Sequence, residues 1–194
     1  MFEQSVDGGA ISATLSKQAK EEVSVSEQTN GQVKPRRLAI IASKGSLDMA
    51  YPPLMLATTA ASMGWEVGIY FTFYGLDIIH KERQRHLAVS PVGNPAMPPP
   101  FPNIPLGVPT LLGALPGMTA MATTMMKDWM NRAHLVPILE LLQIARELGV
   151  RLCACNTMLG VMRINPDELI EGVECAGSPA FLDFAADADI SLFI

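Results

Sequence analysis

The sequence is short of cysteine, of charge and of basic clusters, and each shortage excludes a class of protein. Only three cysteines occur among 194 residues, too few for a disulfide framework in a chain long enough to bury a core without one. Charged residues make up 17% of the chain, and the net charge is −5. Nucleic-acid binding depends on clustered Lys and Arg, and the basic clusters at residues 34–37 and 81–86 are short. We therefore expect no nucleic-acid partner.

The first 35 residues contain few large apolar side chains and no apolar segment of a secretory signal. They are rich in Ser, Glu, Gln, Lys and Gly, which cannot bury enough surface to offset the entropy of ordering. We predict a disordered tail over residues 1–35 and one globular domain over residues 36–194. The expected compartment is a reducing cytoplasm, where cysteines stay thiols; a membrane-associated form is the alternative.

Beyond the tail, apolar strands alternate with amphipathic helices. Residues 38–42 (LAIIA) form a continuous apolar run that is typical of a buried parallel strand. Further strands are predicted at residues 66–73, at residues 150–154 and at residues 190–194. Helices are predicted over residues 52–63, 76–86, 135–148, 164–172 and 181–186. This alternation predicts an open, mainly parallel α/β sheet flanked by helices.

Residues 88–130 interrupt this alternation. Their first half is rich in proline, which excludes a regular helix or a central strand. Residues 104–126 carry no charge, but prolines and glycines break any spanning helix there. Four methionines within residues 118–126 recur near helical spacing, which favours a helix in the core or at a subunit interface over a surface for a membrane or partner. We expect a homo-oligomer, with peripheral membrane contact as the alternative.

Cys155 is the residue with the clearest chemical signal. Residues 150–154 suit a short buried strand, and Asn156 and Thr157 are residue types that cap helices. Cys155 therefore lies between a strand's carboxyl end and a helix's amino end. Ligands bind at that edge in doubly wound sheets, and the backbone amides and helix dipole there favour a thiolate. We predict that Cys155 is a nucleophile; a buried, inert cysteine is the alternative.

Cys153, Cys175 and Lys44 are accessory candidates. Cys153 shares a strand face with Cys155, because side chains alternate with a period of two, and packing is its favoured role. Cys175 is open between a loop thiol that faces the site and a filler residue. Lys44 follows the first strand at the same sheet edge, where it would stabilise a thiolate or an anionic donor such as thiosulfate. A solvated loop lysine is the alternative.

A zinc site is the competing use of the cysteines. Three thiolates and one histidine can bind zinc, but paired ligands in structural sites are separated by about two to four residues. Cys153 and Cys155 are separated by one residue. No matching spacing is found at His80, His86 or His134. We predict no metal and no organic cofactor.

Six stretches of the chain, in order, resemble the DsrE/DsrF/DrsH-like family of small sulfur-transfer proteins. They read ASKGSLDMAYPP at 42–53, ASMGWEV at 61–67, FTFYGL at 71–76, CNTM at 155–158, LIEGVE at 169–174 and SLFI at 191–194. Together they extend over nearly the whole predicted domain.

The resemblance implies a five-stranded parallel sheet flanked by helices, with residues 88–130 as a Pro- and Met-rich insertion. It implies that Cys155 carries sulfane sulfur as a persulfide or thiosulfonate and passes it to an acceptor thiol. The insertion is similar to that of members found near TusA-like carriers and rhodaneses, which are the implied partners, and the family assembles into homo-oligomers. Cys153 and Cys175 depart from the family pattern, which leaves a second sulfur-carrying or resolving cysteine open.

The sequence thus predicts a cytoplasmic sulfur carrier or sulfurtransferase that uses Cys155; whether it turns over as an enzyme is left open. One alternative is a non-catalytic binding or assembly module. The other is a membrane-associated sulfur-trafficking subunit. Both alternatives would use the Met-rich segment.

Overall fold

A parallel sheet organises the residues that the computed structural model describes, which are 34–90 and 116–194. These residues contain five strands: β1 (Arg37–Ala42), β2 (Glu66–Phe71), β3 (Arg151–Cys155), β4 (Val173–Ala176) and β5 (Ile190–Phe193). The order across the sheet is β4-β3-β2-β1-β5, and every neighbouring pair is parallel. The predicted fold class is therefore confirmed. The predicted tail falls outside the described residues except for its last two, and so does the segment 91–115 of the predicted insertion.

Helices connect the strands and cover the sheet. The described residues form α1 (Leu47–Ser62), α2 (Met118–Arg132), α3 (Ile138–Glu147), α4 (Asn156–Met162) and α5 (Ser178–Ala186). The helical methionine spacing within residues 118–126 is confirmed by α2. Among the residues of α2, only Ala122 is fully buried.

The single helix predicted over residues 76–86 is wrong. The chain instead forms two short 3₁₀ helices, Phe73–Ile78 and Arg83–His86. Between them, the buried His80 pairs with Leu169 in an isolated antiparallel bridge. Nδ1 of His80 accepts hydrogen bonds from the two backbone amides that open the next turn. A side-chain acceptor thus replaces the main-chain carbonyl that a continuous helix would use.

The polar helix predicted over residues 164–172 is also wrong. Only Pro166–Glu168 is helical, as one 3₁₀ turn, and the Glu168 carboxylate accepts a hydrogen bond from the Asn165 amide at 2.7 Å. The chain then enters β4, a strand that the sequence pattern does not locate. None of the four residues of β4 is fully buried, so the strand has no apolar pattern to detect.

The two faces of the sheet pack against different clusters. On one face, which we call the core face, alternate strand residues pack with α1 and α3 in a large apolar core. On the other, which we call the thiol face, a small cluster joins strand residues to two phenylalanines of α5. Its buried members are Ala39, Tyr70, Cys153, Cys155, Phe181 and Phe184.

The close approach of α5 to the thiol face depends on Gly68. A Cβ atom at this position would lie 2.6 Å from Cε1 of Phe184, so the phenylalanine ring occupies the space that a side chain would fill. Arg37 also lies over this ring, with its guanidinium carbon 4.7 Å from the ring centroid. Gly68 therefore sets how near α5 lies to the sheet.

Candidate active site at Cys155

Cys155 is the last residue of β3 and directly precedes α4, as the sequence predicts. Its backbone is extended, with φ −68° and ψ 109°, and the side chain is 5% exposed. The backbone amides of Thr157 and Met158, in the first turn of α4, donate hydrogen bonds to its sulfur. The strand-to-helix transition therefore supplies main-chain donors to this thiol.

Two hydroxyl groups from the neighbouring strand complete the set of donors. Tyr70 belongs to β2, and Thr72 follows the last residue of that strand. Both side chains hydrogen-bond to the sulfur of Cys155. The backbone at Thr72 is fixed by its own amide, which donates to the carbonyl of Ala42 at 3.0 Å. The site is thus built from two adjacent strands, β2 and β3.

These donors lower the pKa of Cys155. Burial of the thiol opposes ionisation, but the hydrogen bonds from Tyr70, from the Met158 amide and from the two further donors outweigh burial. The pKa of the Cys155 thiol therefore lies below its ordinary value, because each donor stabilises the thiolate more than the thiol.

Tyr70 is fixed in position by contacts of its ring and of its hydroxyl group. Its ring stacks on Phe181 of α5, with 4.8 Å between ring centroids and 20° between planes. Its hydroxyl oxygen lies 3.4 Å from Oγ of Ser178, the first residue of α5. Burial and the hydrogen bond with Cys155 raise the pKa of Tyr70. The phenol therefore keeps its proton and acts as a donor to the sulfur.

Cys153 lies on the same face as Cys155, as the period of two predicts, and both belong to the thiol-face cluster. It is 1% exposed. Its thiol donates to the Glu174 carboxylate at 4.0 Å, and Nε of Arg151 donates to that carboxylate at 2.8 Å. Burial raises the pKa of Cys153, while the nearby Arg151 lowers it in part. This environment keeps Cys153 a neutral thiol and suits the packing role expected for it.

Cys175 lies in β4, which excludes the loop thiol, one of the two alternatives that the sequence left open for it. It is the register partner of Ala154, whereas Ala176 is the partner of Cys155. Register partners in a parallel sheet point to the same face, and Ala154 belongs to the core-face cluster. Cys175 is exposed, and its side chain lies on the opposite face of the sheet from Cys155.

Lys44 is exposed in the loop after β1. It lines an open groove of about 820 Å³ together with Tyr74, Asp77, Arg83 and other residues, and Cys155 is not among them. The strand order places β2 between β1 and β3, so the loops that leave β1 and β3 start about 10 Å apart. The structure therefore groups Lys44 with this groove and not with the thiols.

The described residues provide no evidence for the competing metal site. Within them, no group of three or more His, Cys, Asp or Glu side chains could hold a metal ion. The separation of Cys175 from the other two cysteines accounts for part of this result. In the same two stretches of chain, no helix is both long enough and apolar enough to cross a membrane.

The chain, with this fold and a thiol at a strand end, is similar in sequence to known proteins. Residues 34–193 match the DsrE/DsrF/DrsH-like family. The chain is 46% identical over 159 residues to the sulfur carrier protein DsrE2 of Allochromatium vinosum, covering 82% of this chain and 98% of the relative. The chain therefore belongs to the DsrE/DsrF/DrsH-like family, which confirms the resemblance drawn from the six sequence stretches.

Two more distant proteins are also similar. The uncharacterized protein YrkE of Bacillus subtilis is 27% identical over 160 residues, covering 82% of this chain and 97% of that protein. Among solved structures, the YchN protein of E. coli is 13% identical, with a TM-score of 0.49, and the alignment covers 82% of this chain and 99% of that one.

Proposed function

We propose that this protein carries sulfane sulfur on Cys155 and passes it to an acceptor thiol. The observation that supports the proposal best is the hydrogen-bonded environment of Cys155, in which two hydroxyls and two amides stabilise a thiolate. The relative at 46% identity is named a sulfur carrier protein, which agrees with this chemistry. The alternative of an inert cysteine does not account for the hydrogen bonds that lower the pKa of this buried thiol.

In the loading step, the Cys155 thiolate attacks the sulfane sulfur of a donor such as thiosulfate. A sulfur–sulfur bond forms to Cys155, the donor's own sulfur–sulfur bond breaks, and sulfite leaves with the bonding electrons. In the delivery step, an acceptor thiolate attacks the outer sulfur of the Cys155 persulfide. The Cys155 thiolate leaves, and the proton stays on the transferred sulfur. Neither step requires an external oxidant or reductant. A thiosulfonate on Cys155 would be the equivalent carried form for an oxidised donor.

A carrier must hold its sulfur until the acceptor arrives, and the other two cysteines are placed so that they do not release it. Cys153 retains its proton beside Glu174, and a disulfide between Cys153 and Cys155, on one face of one strand, would be strained. Cys175 lies on the opposite face. We therefore propose that Cys155 alone carries sulfur, and that Cys153 packs.

The low exposure of Cys155 restricts what can reach it. A thiol that is 5% exposed admits a small inorganic donor more readily than a folded domain. An acceptor protein must present its own thiol on a narrow or flexible segment. We propose a small sulfur carrier, such as a TusA-like or rhodanese-like protein, as the partner. A reducing compartment such as the cytoplasm fits this chemistry, because both thiols must be free.

Exposed apolar side chains suggest where protein contacts form. Phe73, directly after Thr72, is 55% exposed, and Phe193 at the end of β5 is 74% exposed. On α2, Met121 is 43% exposed. Apolar groups of this size on a surface commonly mark contacts between proteins. We propose that the aromatic residues serve the acceptor and that α2 contributes to a homo-oligomer. The alternative of a non-catalytic assembly module rests on α2 alone.

The test is a donor-specific adduct map. The full-length protein is incubated with thiosulfate, tetrathionate or polysulfide, its intact mass is measured without reductant, and the modified peptide is identified. We expect one adduct, on Cys155. The matched control is Cys175→Ser, which removes the exposed thiol and should load as well as the unaltered protein. Loading that disappears in this control, or the absence of any adduct from all three donors, would contradict the proposal.

A further inference from the structure

We infer that the Tyr70 hydroxyl makes Cys155 a good leaving group, so that Tyr70 accelerates sulfur delivery more than sulfur loading. This inference rests on the proposed function, because it assigns a role within the delivery step. It is carried by the placement of Tyr70: the ring shares a buried cluster with Cys155 and stacks on Phe181, and its hydroxyl lies 3.4 Å from Oγ of Ser178. The hydrogen bond between Tyr70 and the sulfur of Cys155 supports it.

The direction of these hydrogen bonds follows from what each group can donate. The Tyr70 hydroxyl has one proton, and it donates that proton to the sulfur of Cys155. The Ser178 hydroxyl, 3.4 Å away, is then the donor to the phenol oxygen. A phenol that accepts one hydrogen bond becomes a stronger donor in the next. Ser178 therefore reinforces the bond from Tyr70 to Cys155.

The position of Tyr70 is fixed before any substrate arrives. Its main chain lies in β2, paired with Cys153 of β3, and its ring is 5% exposed and stacked on Phe181. Phe184, whose ring centroid lies 6.3 Å from that of Phe181, packs against Gly68 and holds α5 close to the sheet. The hydroxyl thus reaches the sulfur without having to be ordered when charge develops there, which is the condition for effective electrostatic stabilisation.

The chemistry makes the effect of such a donor unequal in the two steps. In delivery, the bond between Cys155 and the outer sulfur breaks and its electrons move to Cys155. A leaving thiolate of lower pKa leaves faster. In loading, the same thiolate is the nucleophile, and its intrinsic nucleophilicity falls as its pKa falls, with a Brønsted coefficient of about 0.4–0.5. Tyr70 therefore helps loading only through the larger fraction of thiolate near neutral pH.

Other ionisable groups near this pair are on β3 and β4. Cys153 acts electrostatically on Tyr70, and Arg151 and Glu174 act on Cys153. α5 faces Tyr70 with the hydroxyl of Ser178. Because Arg151 and Glu174 are themselves paired at 2.8 Å, their charges offset each other. A pH profile of Cys155 should therefore report mainly the donors to its sulfur.

The first test is Tyr70→Phe, with Tyr51→Phe as the matched control. Tyr51 is also buried, 8% exposed against 5% for Tyr70, but it belongs to the core-face cluster. Each variant loses one buried phenol hydroxyl. The alkylation rate of Cys155 by iodoacetamide is measured against pH. Tyr70→Phe should move the midpoint to higher pH and slow alkylation at pH 7 about tenfold, whereas Tyr51→Phe should keep the midpoint of the unaltered protein.

The second test separates loading from delivery. Loading by thiosulfate, and release of the loaded sulfur to dithiothreitol as a small acceptor, are timed across pH. In Tyr70→Phe, release should be slower at every pH, while loading should equal or exceed that of the unaltered protein above the raised midpoint. Ser178→Ala should give the same pattern with a smaller change. Rescue of loading at high pH is a result that a general packing defect would not produce.

An unchanged midpoint in Tyr70→Phe would overturn the inference, and so would loading and release that slow equally at every pH. A raised midpoint in a protein that takes up no sulfur from any donor would support Tyr70 as the stabiliser of the thiolate, while the carrier role and the delivery effect would fail. The two proposals therefore fail in distinguishable ways.

Discussion

The strand residues on both faces of the sheet are buried, but the two faces differ in chemistry. On the core face, Ile40, Ile69 and Leu152 are at most 1% exposed, and the buried residues of their cluster are aliphatic or aromatic, with the Tyr51 hydroxyl as their one polar side-chain group. On the thiol face, Tyr70 and Cys155 are each 5% exposed and hydrogen-bonded to one another. Burial alone therefore does not decide whether a strand residue is reactive. The hydrogen-bond donors that surround the residue decide its reactivity.

The same lesson holds within the thiol face. Cys153 and Cys155 are two residues apart on one strand, and burial raises the pKa of both. At Cys155, hydrogen-bond donors reverse the effect; at Cys153, a carboxylate acts as acceptor and keeps the proton in place. The difference arises because only Cys155 lies at the strand end, within reach of the amides of α4 and of the side chain that follows β2.

The largest expected effect is the loss of sulfur loading in Cys155→Ser. Serine has nearly the same size and polarity, so the fold should persist, and circular dichroism checks this. Cys153→Ser should still load sulfur, because Cys153 packs and keeps its proton. Loading measured by intact mass in both variants decides the comparison. Loading retained by Cys155→Ser and lost by Cys153→Ser would show that the roles of the two thiols are reversed.

The next effect concerns the core face. Ile69→Ala removes a side chain that is 0% exposed and should lower the free energy of unfolding by about 2–5 kcal/mol, measured by urea denaturation. The neighbouring position on the other face provides the contrast. Tyr70→Phe keeps the ring and should cost about 0.5–1.5 kcal/mol for its net hydrogen bonding. A larger loss for Tyr70→Phe would show that the thiol face contributes more to stability than its small cluster suggests.

A smaller effect distinguishes the thiols by pH. The pKa of Cys155 is lowered and that of Cys153 is raised. Alkylation of Cys155 should therefore persist below the pH at which an ordinary thiol protonates, and should decline as pH falls through its lowered pKa. Alkylation of Cys153 should increase only as pH rises toward its raised pKa. At pH 7 we expect Cys155 to react at least about tenfold faster. In urea the two rates should converge, and a difference that survives unfolding would exclude the folded environment as its cause.

The smallest effect is expected at Lys44. Because Lys44 lines a groove that does not include Cys155, its charge acts on the thiol only at long range, and salt screens such an interaction beyond about 8–10 Å. Lys44→Met should change the thiosulfate loading rate by less than about twofold. A larger drop that is abolished by added salt would show that Lys44 stabilises the anionic donor, the role that its position after β1 predicts.

The sequence reveals Cys155 because its environment is partly continuous in the chain. Residues 150–158 contain the strand, the thiol and the helix start, and each has a local signal. Tyr70 and Thr72 are missed because they precede Cys155 by more than eighty residues. Their contribution depends on β2 lying beside β3, and sequence order does not give that neighbour, since the Pro-rich segment separates the two strands.

The distinction between signals that are local in the chain and contacts between distant residues also explains which strands the sequence predicts. Strands β1 and β2 are apolar enough to be read directly, whereas β4 is an edge strand of partly exposed residues and leaves no pattern. Because the sequence does not locate β4, it also does not give the face of the sheet on which Cys175 lies. Period-two alternation would have put Tyr70 on the face of Cys153 only once the register between β2 and β3 was known.

We expect Gly68 to be a position at which the reactivity of Cys155 can be varied without altering any group that touches the sulfur. Because the missing side chain leaves room for Phe184, a substitution there would shift α5 outward by an amount that grows with side-chain volume. The shift would loosen the contact of Phe181 with Tyr70, and with it the bond from Tyr70 to Cys155. A series of residues of increasing size at this one position would therefore act as a graded control, in divergent relatives or in engineered variants, with every donor still in place.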